Sequence, residues 1–312
     1  MRLLTIGAGE RGARISELLA KKGVKVNRVP LFKCYAISDN IELIGRLKID
    51  DSKKFYIWRD EDNVDVKGFL NSVFSSYELI EGSLIITSLN DDYGFITSYR
   101  LGLELKELVE DPIIGLAIVP QLGEVSIEDV RRRIKRLKEA VDILILFEDK
   151  PEMEKYLINS LNVLSRVGEM DIKRRITGEV VVDTSDVFNS LVKDGFSVLG
   201  YSSRKLPFSW FKRVLLAGKS ELKGWRTKRM IDMVQEAMEN LSIQGDIEDA
   251  KSALLVFSGN PNEITMDGLF SCISLIERIN SKILVRYGDY PIARSTNLSV
   301  VLLFSGIRRF KF

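Results

Sequence analysis

Residues 1–29 read MRLLTIGAGERGARISELLAKKGVKVNRV. The apolar run Leu3-Leu4-Thr5-Ile6 predicts a strand. It ends in Gly7-Ala8-Gly9-Glu10-Arg11-Gly12, which fits G-x-G-x-x-G, and Ala13 to Lys22 continues as a helix. Val24 to Val29 predicts a second strand, which makes the stretch a βαβ opening. Its glycines lie at the helix N-terminus, where free N–H groups can hold phosphate. A dinucleotide site calls for an acid at the end of the second strand. Asn27-Arg28 stands there instead, suited at most to a 2′-phosphate. An NAD(P)-dependent oxidoreductase and a tight turn that binds nothing are both compatible with this stretch.

Working outward, strand and helix patterns alternate. Lys33 to Ile37 and Ile41 to Leu47 are strand-like, Asp50 to Asp65 is polar loop, and Val66 to Ile80 has helical spacing. Ser83 to Ser88 is a buried-strand run, followed by the turn Leu89 to Gly94 and a helix from about Phe95 to Glu110. Ile113 to Val119 and Ile143 to Phe147 are strands around a basic amphipathic helix, Ser126 to Ala140, whose charges predict a solvated face. Near-continuous apolar strands between helices predict an α/β fold with a Rossmann-like parallel sheet covered on both faces. Pro151 to Val167 is a longer helix. Beyond it, strands at Phe196–Tyr201, Ala253–Ser258, Lys282–Tyr287 and Leu298–Phe304 outnumber the helices Arg229–Leu241 and Ile264–Ile279, and the last two strands have hairpin-like spacing. That half predicts a second, α+β domain, with Thr265 as a helix cap. The division expected is 1–175, with a central helix at about 151–170, and 176–312.

The composition removes whole classes of chemistry. The 312 residues include no histidine, which excludes Ser-His and Cys-His nucleophiles and imidazole-based zinc sites; no residue is assigned to a metal. A net charge of +2 gives no overall nucleic-acid-binding surface. Cys34 and Cys272, far apart, fit buried free thiols in a reducing compartment better than a disulfide framework. No secretory pattern opens the chain and no apolar run reaches the ~18 residues of a membrane span, so a cytoplasmic protein is expected.

Two further stretches carry chemistry. Residues 176–195, ITGEVVVDTSDVFNSLVKDG, set Asp183 and Asp186 three apart, on one side of a first helical turn if a helix opens there. Either an N-cap or an acting pair of acids fits that spacing. Residues 203–228 interleave Phe208, Trp210, Phe211 and Trp225 with lysines and arginines, which fits either packing on the domain or a docking patch for a protein or a membrane surface.

In chain order, GAGERG, VDILILFEDK, ITGEVVVDTSDV, GDIEDAKSALLVFSGNPNEITMDGL and SKILVRYGDYPIARSTNLSVVLLFSGI together resemble the FtsZ/tubulin superfamily over nearly the whole chain. The resemblance implies GTP as ligand, with Mg²⁺, and subunits that associate into filaments. It implies nucleotide contacts from Gly7, Ala8, Gly9 and Gly12 in the first loop, from Asn90 and Gly94 after Ser88, and from Asp149 before the central helix. It implies that Asp183 and Asp186 are catalytic acids that act on a neighbouring subunit's nucleotide. The departures bear on the same site. The family's glycine-rich phosphate loop is here Leu89-Asn90-Asp91-Asp92-Tyr93-Gly94, and Glu10 and Arg11 replace glycines. Like charges about 4 Å apart repel by roughly 1–4 kcal/mol at effective dielectrics of 80 to 20. The expectation is a divergent, FtsZ-like cytoskeletal protein with a degenerate phosphate loop. It would associate with itself or with an FtsZ-like protein, forming, capping or modulating a filament, with GTP binding weak or lost. The alternative is a working GTPase in which Asp91 or Asp92 reaches Mg²⁺.

Overall fold

The computed structural model describes residues 1–60, 63–75, 79–121, 126–169, 187–188, 194–206, 219–293 and 295–309. Asp183, Asp186, Phe208, Trp210 and Phe211 lie outside them. The chain divides into two units, Met1–Ile158 and Asn159–Phe312.

The first unit is built on β1 (Leu3–Ala8), β2 (Phe32–Ser38), β3 (Lys54–Tyr56), β4 (Gly82–Ser88), β5 (Ile113–Val119) and β6 (Ile143–Glu148). Their order is β6-β5-β4-β1-β2-β3 and every pairing is parallel. β1, β4 and β5 are buried along their whole length, which is why their sequences are continuous apolar runs rather than alternating ones. The strands are linked by α1 (Gly9–Lys22), α2 (Ile41–Arg46), α3 (Lys67–Phe74), α4 (Asp92–Leu108) and α5 (Ile127–Ala140). The register pairs Ala8 with Ile37, Gly7 with Ile86 and Glu148 with Val119. The carboxyl ends of β1, β2, β4 and β6 therefore finish at one edge, where open α/β sheets place their ligands.

Two expectations fail here. Val24 to Val29 is not the second parallel strand. Lys25–Val26 and Val29–Pro30 form a small antiparallel hairpin whose turn residues, Asn27 and Arg28, have φ of 51° and 73°. Both central residues in left-handed conformation make a tight two-residue turn and reverse the chain. The strand that pairs with β1 is β2, and it ends just before Asp39. Arg28, in the turn, is thereby removed as an anchor for a 2′-phosphate. Ile41 to Leu47, expected as strand, is α2. The Asn40 Oδ1 accepts from Leu43 N at 3.0 Å, and Leu43, Ile44 and Leu47 are buried while Ile41 is 67% exposed. Neighbours 43 and 44 buried together fit a helical face and not a two-residue alternation.

The helix α6 (Met153–Leu164) runs across the boundary of the two units. The second unit holds β7 (Phe196–Lys205), α7 (Lys219–Glu239), β8 (Ser252–Gly259), α8 (Met266–Glu277), β9 (Leu284–Pro291) and β10 (Asn297–Ile307). Its strand order is β9-β8-β10-β7. β8 and β9 are parallel, whereas β10 is antiparallel to β8 and β7. The last two strands are thus not a hairpin: β8 lies between them, because α8 carries the chain across before β9. Thr265 caps α8 as its sequence requires, its Oγ1 accepting from Gly268 N at 3.1 Å. The two ends of the expected insert, 203–228, belong to regular elements. Residues 203–205 finish β7 and residues 219–228 open α7, whose buried Met230, Met233, Val234 and Ala237 recur at helical spacing.

Candidate functional site

At the carboxyl edge of the first unit's sheet lies a cavity of about 530 Å³, within the usual range of ligand clefts. Glu10, Arg11 and Arg14 of α1 line it, with Ser38 at the end of β2 and Asp39-Asn40 after it, Ser88 at the end of β4 and Asn90 and Asp91 after it, and Asp149 after β6. Four of these groups are carboxylates and two are guanidinium groups, and both guanidinium groups are already engaged. Arg11 meets Asp149 Oδ1 at 3.0 Å and Glu154 Oε1 at 2.8 Å, and Arg14 meets Glu10 Oε1 at 2.7 Å. Burial raises the Asp39 carboxyl from its ordinary value, and the Asp91 charge adds to the rise.

The Asp91 carboxylate occupies the junction of two helix starts. Its Oδ1 accepts from Gly94 N at 2.9 Å, in the first turn of α4, and its Oδ2 accepts from Glu10 N at 3.0 Å, in the first turn of α1. Ser88 Oγ donates to Asn90 Oδ1 at 2.6 Å and fixes the approach of the loop from β4.

The glycines expected to contact a ligand divide into two groups. Gly7 and Gly12 are packing positions: a Cβ on Gly7 would strike the Gly12 carbonyl, and one on Gly12 would strike the Ile86 carbonyl on β4. Gly9, with φ of 75°, and Gly94 face Asp91; a Cβ on Gly9 would collide with Asp91 Oδ2. Ala8, the last residue of β1, is fully buried. Asn90 and Asp149 line the cleft. Of Asp91, Asp92 and Tyr93 in the segment after β4, only Asp91 lines the cleft. Asp92 turns away to pair with Arg133, and Tyr93 is buried with its hydroxyl donating to Ile57 O at 2.7 Å. That burial pushes the Tyr93 phenol above its ordinary value.

The basic helix α5 is also not wholly solvated. Arg133 donates to Leu89 O at 2.9 Å and lies 5.2 Å from the Phe95 ring centroid, and Arg136 lies 4.7 Å from that of Tyr99. Asp39 and Asn40 were missed as lining residues because Val24 to Val29, rather than the strand-like run Lys33 to Ile37, was taken as the βαβ partner of β1. An acid directly after a buried apolar strand, Phe32 to Ser38, is the signal that finds them.

A family model for the C-terminal domain of tubulin-like CetZ proteins matches residues 148–311. The chain belongs to the tubulin-like CetZ family. Tubulin-like protein CetZ1 from Haloferax volcanii is 24% identical over 98% of this chain and 88% of its own length. The solved CetZ1 structure, a GDP-bound monomer, superimposes with a TM-score of 0.83 at 22% identity, covering 100% of this chain and 96% of that one. CetZ2 from the same organism, solved as a GTPγS-bound protofilament, gives 0.76 at 19% identity, with coverage of 100% and 95%. An FtsZ dimer from M. jannaschii gives 0.72 at 16% identity, with coverage of 100% and 93%. The two-unit α/β architecture expected from the sequence is thus the tubulin/FtsZ fold in CetZ form.

Proposed function

We propose that this chain is a CetZ-type cytoskeletal subunit that works by associating with copies of itself or with an FtsZ-like protein, with its own hold on GTP weak or lost. The observation that carries the reading is Asp91, whose carboxylate already accepts from the Glu10 and Gly94 backbone N–H groups. A phosphate group would need the same donors and would meet a negative charge beside them. The GTPγS-bound protofilament formed by CetZ2 supports the assembly half of the reading.

In this reading residues 1–175 are the nucleotide-type domain, residues 176–312 are the second domain, and the protein works in the cytoplasm. Asp183 and Asp186 act on a nucleotide held by a neighbouring subunit. Residues 203–228, with Trp225 62% exposed on α7, are a docking surface for a protein or a membrane surface.

A second reading, a GTP-binding GTPase, keeps one observation: the cleft has ligand size and both Asp39 and Asp91 face it. Asp39 and Asp91 would be the residues to hold a Mg²⁺ ion there, and its charge would offset their repulsion of a phosphate. Asp92, held by Arg133, is not available for that role. The deciding experiment is the guanine-nucleotide content of the purified protein, with pelleting and electron microscopy with and without GTP and Mg²⁺. Assembly without bound nucleotide is the expected result. Stoichiometric GDP or GTP in the purified protein, with assembly strictly dependent on GTP, establishes the second reading instead.

A further inference from the structure

An ordinary helix cap satisfies one helix. Asp91 satisfies two. Its Oδ1 takes the Gly94 N–H of α4 at 2.9 Å and its Oδ2 takes the Glu10 N–H of α1 at 3.0 Å. Each of these first turns leaves backbone donors open and carries the positive end of a helix dipole. In phosphate-binding turns, glycines bare such donors for ligand oxygens. Here the glycines make room for an oxygen of the chain itself. Gly9 holds φ at 75° and a Cβ on it would collide with Asp91 Oδ2, and one on Gly94 would fall 2.9 Å from the same atom. The main-chain cradle is therefore intact, and what lies in it is a carboxylate.

We propose that Asp91 is an internal stand-in for a phosphate group: it bridges α1 and α4 as a bound anion would, holds the cleft in its occupied shape with no nucleotide present, and shuts phosphate groups out. This rests on the reading that GTP is held weakly or not at all, and names the residue that makes it so. The nucleotide face of the subunit is then always formed, and its association does not follow a nucleotide cycle.

The test compares the full-length wild type with Asp91→Ser and Asp91→Asn, using inorganic phosphate and GDP as probes. Serine keeps a short acceptor for Gly94 N and frees Glu10 N; asparagine keeps the size and removes the charge. The wild type is expected to melt at the same temperature with and without phosphate. Asp91→Ser is expected to melt lower, to recover on addition of phosphate, and to bind GDP at least about tenfold more tightly than the wild type by calorimetry. Should Asp91→Ser fail to fold, Asp91→Asn carries the same expectations. If the wild type binds GDP weakly, and the folded variants gain neither affinity nor phosphate-dependent stability, Asp91 is a helix cap only and this inference falls while the weak-GTP reading stands. If the wild type itself binds GDP tightly, with a dissociation constant of about 1 μM or below, the weak-GTP reading itself falls.

Discussion

Cys34 and Cys272 are buried free thiols, as the sequence led us to expect. Cys34 lies on β2, 3% exposed, and Cys272 lies on α8 with no exposure. Burial pushes both thiols from about 9 up to about 12. Since the thiolate is the nucleophile, neither is expected to react with DTNB at pH 8 until the chain unfolds, when both should titrate at once. The pH dependence has a definite sign. Each folded thiol keeps its proton above the unfolded value, so its contribution to stability is complete below about pH 9 and is lost as pH rises towards 12. Labelling of either cysteine in the native protein at pH 8 would contradict the packing of β2 and α8. Gly12 belongs to the same scale. G-x-G-x-x-G is visible in the sequence, but whether its last glycine faces a ligand or a strand is not. The Ile86 carbonyl above it makes it a packing position.

Between elements, charge does what apolar patterning does within them. Glu263 is only 3% exposed, yet it pairs with Arg229 and lies 3.9 Å from Arg226, both on α7. Removing one partner of a buried ion pair leaves the other charge uncompensated, which costs roughly 3–5 kcal/mol. Glu263→Ala is expected to destabilise the protein by about 3 kcal/mol in urea melts, near the low end of that range because Arg226 and Arg229 are part-exposed. A loss below about 0.5 kcal/mol, the size of an ordinary surface change, would contradict this role. Arg133 plays a similar part in the first unit. It holds the Leu89 carbonyl and Asp92 from α5, and so steadies the loop that aims Asp91. The periodicity of α5 shows its apolar stripe. It does not show that Arg133 and Arg136 cover the rings of α4, because long cationic side chains snorkel along apolar surface at positions that read as solvated.

At the scale of the molecule, the cleft's charge balance sets what a ligand meets. Free GDP at 100 times its dissociation constant stabilises a folded protein by ~2.7 kcal/mol. A subunit that holds guanine nucleotide weakly shows almost none of this. The wild type is therefore expected to keep its melting temperature in millimolar GDP with Mg²⁺. A rise of several degrees would place phosphate in the cleft despite Asp91.

The sequence alone determined the α/β class, the parallel sheet of the first unit and the superfamily. These follow from local rules: continuous apolar runs mark buried strands, glycine turns mark helix starts, and Thr265 marks a cap. Only the tertiary structure decided the rest. It showed that β2, not the hairpin at Val24, lies beside β1 and so brings Asp39 to the site; that β8 separates β9 from β10; and that of Asp91 and Asp92 one enters the cleft while the other turns to α5. Such choices depend on partners up to 82 residues away in sequence, as with Asp91 and Gly9, and no local pattern records where a partner so distant will stand.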